Sequence, residues 1–176
     1  RGGSSAFWSK KSFKFDFNRG HHFRFADGFG KVEEFNLNTT WSDKAYMRRL
    51  LCWQAYREAG LPASLSFPVQ LRRKGKFYQL TAFVEQVDKH MLERYRWDEE
   101  HLGALYKMYN VLDNGSGGVE KKTRHHESND DLRDFVQGLR LTGADQRDFV
   151  FDNVDVPSVL NYIAVTNLLH NNDHIA

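Results

Sequence analysis

The residues of this chain best suited to chemistry are gathered near its end. Leu168-Leu169-His170-Asn171-Asn172-Asp173-His174 sets an acid among amides and imidazoles directly after the nearly all-apolar run Val156 to Leu169. An apolar run of that length, opened by Asp155 and Pro157, predicts a buried helix, and such a helix would hold the Asp173 carboxylate at a fixed point, as a catalytic acid or base requires. The same residue types also make an ordinary polar helix end, because Asn and Asp are favoured at helix C-termini and in turns. Both readings stand on the cluster alone. His170 and His174 could join Asp173 around a metal, but the partner glutamate is missing and the chain has one cysteine, Cys52, so no metal site is expected.

A second constellation opens the chain. Gly2-Gly3-Ser4-Ser5 is a donor-rich turn, and Lys10-Lys11-Ser12 follows it just before a strand. Amides freed by glycine can cradle phosphate oxygens, with serine hydroxyls adding donors. Strand alternation gives Lys11 the parity of Phe13 and Phe15 and turns Lys10 and Lys14 the other way, so Lys11 is expected to face inward. An inward ammonium needs an anion, which a nucleotide phosphate or a partner carboxylate supplies. The alternative is a frayed terminus with Lys11 at a solvated strand end. Arg48 lies on the helical strip Arg48, Cys52, Ala55, Ala59, either packed closely and paired with an anion or simply on the surface. Glu85 closes an expected strand, where free backbone groups could meet the edge of a flat base or be merely solvated.

These groups need elements to position them. Phe13, Phe15 and Phe17 alternate with polar residues and predict a strand, with further strands at His22 to Phe25 and Glu34 to Leu37. Tyr46, Met47, Leu50, Leu51 and Trp53 recur at helical spacing between Ser42, a candidate N-cap, and the stop Gly60-Leu61-Pro62. Leu65 to Leu71 and Phe77 to Val84 alternate around Arg73-Lys74-Gly75-Lys76 and predict a hairpin. After Gln86 the patterning turns helical: a short helix near Asp88 to Tyr95, a strand at Ala104 to Tyr109, and a helix at Ser128 to Leu139 with Ser128 and Asp131 as a capping box. A glycine- and charge-rich loop runs from Asn114 to Glu127. The expected fold is α+β in two lobes, an antiparallel β-rich lobe with one long helix over residues 1–86 and a mainly helical lobe over 87–176.

Composition narrows the function classes. With 40% hydrophobic residues and 14% aromatics the chain can bury a core, and its net charge of +2, spread through mixed-sign segments, gives no reason to expect a nucleic-acid polymer as partner. One cysteine leaves no intrachain disulfide framework. No apolar run has membrane-spanning length. The abrupt start at Arg1 and the stop inside the polar cluster read as a piece of a longer protein.

Taken in order, Arg1-Gly2-Gly3-Ser4-Ser5, Lys10-Lys11-Ser12-Phe13-Lys14, Met47-Arg48, Glu58 to Ala63, Phe83 to Lys89 and Ala164-Val165 to His174 resemble the spore-coat CotH kinase family over the whole chain. Lys121-Lys122-Thr123-Arg124 and Phe151-Asp152-Asn153 also resemble secreted bacterial members. The resemblance implies an atypical protein-kinase-like fold that binds ATP with Mg2+ and phosphorylates serine or threonine hydroxyls of serine-rich protein substrates, in a spore coat, at a cell surface or after secretion. It implies that Gly2, Gly3, Ser4 and Ser5 lie over the phosphates and that Lys11 contacts them. It also implies that Glu85 to Val87 forms a hinge meeting adenine, and that Asp173 is the catalytic-loop aspartate orienting the substrate hydroxyl. Arg48 would join a network between helix and lysine. The asparagine and aspartate that hold metal in kinases would follow Asp173 beyond Ala176. A kinase-like adhesion or coat-assembly module without activity is the competing reading, and a small-molecule or sugar kinase is a third.

Overall fold

The computed structural model describes residues 4–25, 31–97, 104–109, 112 and 118–171. The chain divides into two compact units, residues 1–96 and 97–176. The division falls between Arg96 and Trp97, ten residues beyond the expected lobe boundary.

The first unit is built on a four-stranded antiparallel sheet of β1 (Phe13–Asp16), β2 (Glu34–Thr39), β3 (Ser66–Arg73) and β4 (Lys76–Glu85), in the order β1-β2-β4-β3. Every strand forecast from period-two alternation is present except His22 to Phe25, which is reduced to one bridge between Phe23 and Val32. The hairpin turn between β3 and β4 puts Lys74 and Gly75 both at positive φ, 50° and 75°, the twist that a two-residue connection requires. One face of the sheet is an aromatic core. Val32, Phe35, Leu37 and Phe83 are buried there, with Phe17, Phe25, Phe67, Val69 and Leu71 packed against them. Rings run across the strands, Phe15 on Phe35 at 4.9 Å, Phe35 on Phe83 at 5.2 Å and Phe83 on Phe67 at 4.5 Å. Such cross-strand aromatic pairs fix the register, since a one-residue slip would turn the whole set to the other face.

Helix α1 (Arg48–Glu58) lies against β3 and buries Tyr56. It starts six residues later than Ser42. The Asp43 carboxylate takes the amides of Ala45 and Arg48 at 3.1 Å and 2.9 Å, so Asp43 rather than Ser42 organises the approach to the helix. Helix α2 (Lys89–Arg94) begins as forecast, with the Asp88 side chain accepting from the His90 amide at 2.9 Å. Burial drives the Asp88 carboxyl above its usual range, against the pull of that amide.

The second unit pairs β5 (Tyr106–Met108) with β6 (Val119–Lys121) and carries α3 (Asp130–Leu139), α4 (Gly143–Asn153) and α5 (Val156–Leu168). Strand β6 lies inside the expected loop. Its Tyr106–Lys121 and Met108–Val119 cross-strand pairs supply the anchorage that composition concealed. The capping box at Ser128 does not form: Asn129 precedes α3, and the Ser128 hydroxyl is taken by Asp130 at 2.6 Å. In α5 the Asp155 signal is realised, its carboxylate accepting from the Ser158 amide and hydroxyl. The expectation of burial is not. Leu160 is 62% and Leu168 78% exposed, and Thr166 is the buried residue of this helix. Val159 and Ile163 also stand exposed along it, at 45% and 48%.

Candidate functional site

Ser4–Phe7 form a single 3₁₀ turn, and the segment after it is fastened to the end of the sheet. The Gln79 side-chain amide donates to the Lys11 carbonyl at 3.0 Å, and the Ser12 hydroxyl accepts from the Thr39 amide at 3.1 Å. Lys10 donates to the Tyr78 carbonyl with its ammonium 4.3 Å from the Tyr78 ring centre, a half-buried arrangement that combines a hydrogen bond with a cation–π contact. The Lys11 ammonium donates to the Ala6 carbonyl at 2.8 Å, which sets the charge on the turn itself.

Lys11 does not face inward, contrary to its parity with Phe13 and Phe15. Lys11 is exposed because β1 begins only at Phe13, so strand alternation does not reach it. Lys10, forecast to point away, is the more enclosed of the two lysines. Gln79 was missed altogether. Its signal was legible, since it shares with Thr81 and Phe83 the core-facing parity of β4, where a polar side chain needs a partner. It is 4% exposed, its Nε2 is committed to Lys11, and its Oε1 has no partner among the described residues. Gly2 and Gly3 lie outside the described residues, while Ser4 and Ser5 belong to the turn.

At the opposite end of β4 the Glu85 carboxylate faces the protein. Its side chain is 4% exposed and accepts from Arg94 and from the Leu65 amide at 2.9 Å, while the Glu85 amide donates to the Leu65 carbonyl at 2.9 Å. Arg94 also donates to the Ala63 carbonyl at 2.9 Å, and the Tyr95 hydroxyl holds the Ala63 amide at 2.8 Å. Burial opposes the Arg94 charge, but hydrogen bonds with Glu85 and Tyr95 outweigh it and raise the pKa. Glu85 therefore locks the strand end to α2 and the 63–65 loop. Gln86 accepts from the Asn36 side chain at 2.8 Å, and Val87 is exposed before the capping Asp88.

Arg48 stands on the surface. Its side chain is 79% exposed and its nearest carboxylate is Asp43 at 3.7 Å, so the strip with Cys52, Ala55 and Ala59 does not enclose it. In the second unit, Lys121 to Arg124 tie β6 to its surroundings. Lys121 donates to the Ser128 carbonyl at 2.6 Å, Lys122 pairs with Glu120 at 2.7 Å, the Thr123 hydroxyl accepts from the Leu105 amide at 2.9 Å, and Arg124 pairs with Glu127 at 2.6 Å. The Lys122 and Tyr109 hydrogen bonds pull the Glu120 carboxyl down to about 2. His170 takes positive φ just after α5, and Asn171 donates to the Thr166 carbonyl at 3.0 Å. Asp173 and His174 lie outside the described residues. Among the described residues no three His, Cys, Asp or Glu side chains gather at metal-binding distance, and no helix is long and apolar enough to cross a membrane.

The family model for CotH kinase protein matches residues 1–176, the full span of the sequence. No curated protein matches it. The chain belongs to the CotH kinase family.

Proposed function

We propose that this chain is a CotH-like protein kinase that transfers the terminal phosphoryl group of ATP to serine or threonine hydroxyls of protein substrates. The observation that carries the reading is the Lys11 ammonium, held 2.8 Å from the Ala6 carbonyl on the Ser4–Phe7 turn. An exposed cation held on the serine-containing Ser4–Phe7 turn, beside a segment fastened to the sheet, suits a polyphosphate. Family membership supports the same chemistry.

In this reading Gly2, Gly3, Ser4, Ser5 and Lys11 hold the phosphates of ATP, and the main chain from Glu85 to Val87 meets the adenine edge. The side chain of Glu85 serves that hinge indirectly, by fixing the strand end through Arg94. Asp173 accepts a hydrogen bond from the substrate hydroxyl and aims its oxygen for in-line attack, so its contribution is positioning more than covalent chemistry. Bound ATP would supply the transferable phosphoryl group, and Mg2+ would neutralise charge on its oxygens. Arg48, exposed beside Asp43, is left only a peripheral place. A serine-rich protein is the proposed substrate, and the family points to a spore coat or cell surface as the setting.

Calorimetric titration with ATP and Mg2+ tests the phosphate site. Lys11→Met in the full-length protein should weaken binding by about tenfold or more, the scale of one lost charge-assisted contact, while the melting temperature stays unchanged because the side chain is exposed. Equal affinity in both proteins would remove Lys11 from the site. Retained ATP binding without phosphate transfer would favour the inactive binding module.

A further inference from the structure

The first unit carries a concavity that the phosphotransferase reading does not use. About 400 Å³ in volume, it is lined by Phe13 and Phe15 of β1, Leu71, Arg72 and Arg73 of β3, and Tyr78 of β4. Tyr78 reaches it through an irregularity in the ladder: Leu71 pairs with Gln79 and Arg72 with Phe77, so Tyr78 is the extra residue of a bulge, the kind of device that re-aims a side chain. Its ring meets Phe13 edge-on at 6.4 Å. Phe13 and Phe15 remain 37% and 38% exposed even though β1 belongs to the aromatic sheet. Aromatic rings and arginines left open together are the composition of an interface centre, not of an ordinary surface.

The charged residues that line the cavity, Arg72 and Arg73, are both cationic. From Ser66 to Val84 the sequence has no acidic residue, while Arg72, Arg73, Lys74 and Lys76 crowd the hairpin turn. None of these four forms an ion pair among the described residues; Arg72 makes a side-chain hydrogen bond to Gln70 at 3.0 Å. Lys10 adds a fifth cation at Tyr78, whereas Lys14 is neutralised by Glu34 at 2.6 Å. Such a field selects an anionic partner. The cations continue past the cavity onto Lys74 and Lys76, so the ligand carries anions beyond the group it buries. A single-stranded nucleic acid needs successive stacking platforms spread along a basic track, whereas the rings of Phe13, Phe15 and Tyr78 converge on one cavity.

We infer that this concavity docks an acidic protein segment, an aromatic side chain entering between Phe13, Phe15 and Tyr78 while flanking carboxylates meet Arg72, Arg73 and the hairpin lysines. The inference does not depend on phosphoryl transfer; where both hold, the segment belongs to the substrate and lies outside the residues phosphorylated.

The test uses fluorescence anisotropy on the full-length protein without nucleotide. The probe is a labelled peptide of one phenylalanine flanked on each side by two glutamates, compared with its alanine counterpart and with a version carrying lysines for glutamates. Binding of the first should exceed both controls by about fivefold or more and fall by about tenfold in R72E/R73E. The exposed positions should leave the melting temperature unchanged; should it drop, R72A/R73A takes the place of the charge reversal. Equal binding of the phenylalanine and alanine peptides, full binding by the arginine variant, or tighter binding of an oligothymidylate that displaces the peptide would each overturn the inference. Because no nucleotide is present, that failure would leave the kinase reading untouched.

Discussion

Arg94 grips Glu85 side-on, Nε donating to Oε1 at 3.0 Å and Nη2 to Oε2 at 2.6 Å, with the carboxylate almost wholly enclosed. The planar fork also reaches the Ala63 carbonyl, so one side chain joins the end of β4, α2 and the 63–65 loop. Breaking such a pair leaves a buried charge uncompensated. Arg94→Ala should cost about 3 kcal/mol in denaturant unfolding, and Arg94→Lys should recover only part of that, because a point charge cannot reproduce two parallel bonds. A loss below about 0.5 kcal/mol would place the pair among ordinary surface contacts.

In the second unit, Gly138 of α3 is buried and the Phe149 ring of α4 lies where a Cβ would stand, 2.1 Å from its nearest atom. Gly138→Ala should therefore destabilise by about 1–3 kcal/mol, overriding the gain of about 0.5–1 kcal/mol that alanine normally brings to a helix. The double variant with Phe149→Leu should regain part of the loss. Calorimetric unfolding of the three proteins measures this; a stabilised single variant would show that the helices separate freely.

The cap of α5 is sensitive to acid. Hydrogen bonds from the Ser158 hydroxyl and amide hold the Asp155 carboxyl below its usual range. A group depressed in the folded state stabilises above its unfolded pKa and loses that contribution as pH falls through the folded value. Asp155→Ala should lower the melting temperature at about pH 6, and the gap from the parent should narrow as pH falls below the ordinary aspartate range. A gap that widens in acid would mean that the carboxylate does not cap the helix.

The strands and the hairpin were readable because alternation and the Lys74-Gly75 turn are local signals. So was α2, through Asp88. What composition hid depended on distant partners. Whether Val156 to Leu168 is covered is decided by neighbours and not by its own apolarity, and β6 exists through pairing with β5 across the Gly-rich stretch. At the candidate site, the lysine pair and the turn were visible in sequence, but the parity of Lys11 failed because the strand starts two residues later. Gln79 was detectable as a polar residue on a core-facing row, whereas nothing near Arg94 announces Glu85 as its partner.

The central claim is phosphoryl transfer with Asp173 as the positioning carboxylate, and transfer of labelled phosphate from ATP to a serine-rich protein tests it most directly. Asp173→Asn in the full-length protein should keep ATP affinity while turnover falls by about 10²-fold or more, the scale of a lost general base. Unchanged transfer in that variant would contradict the assignment.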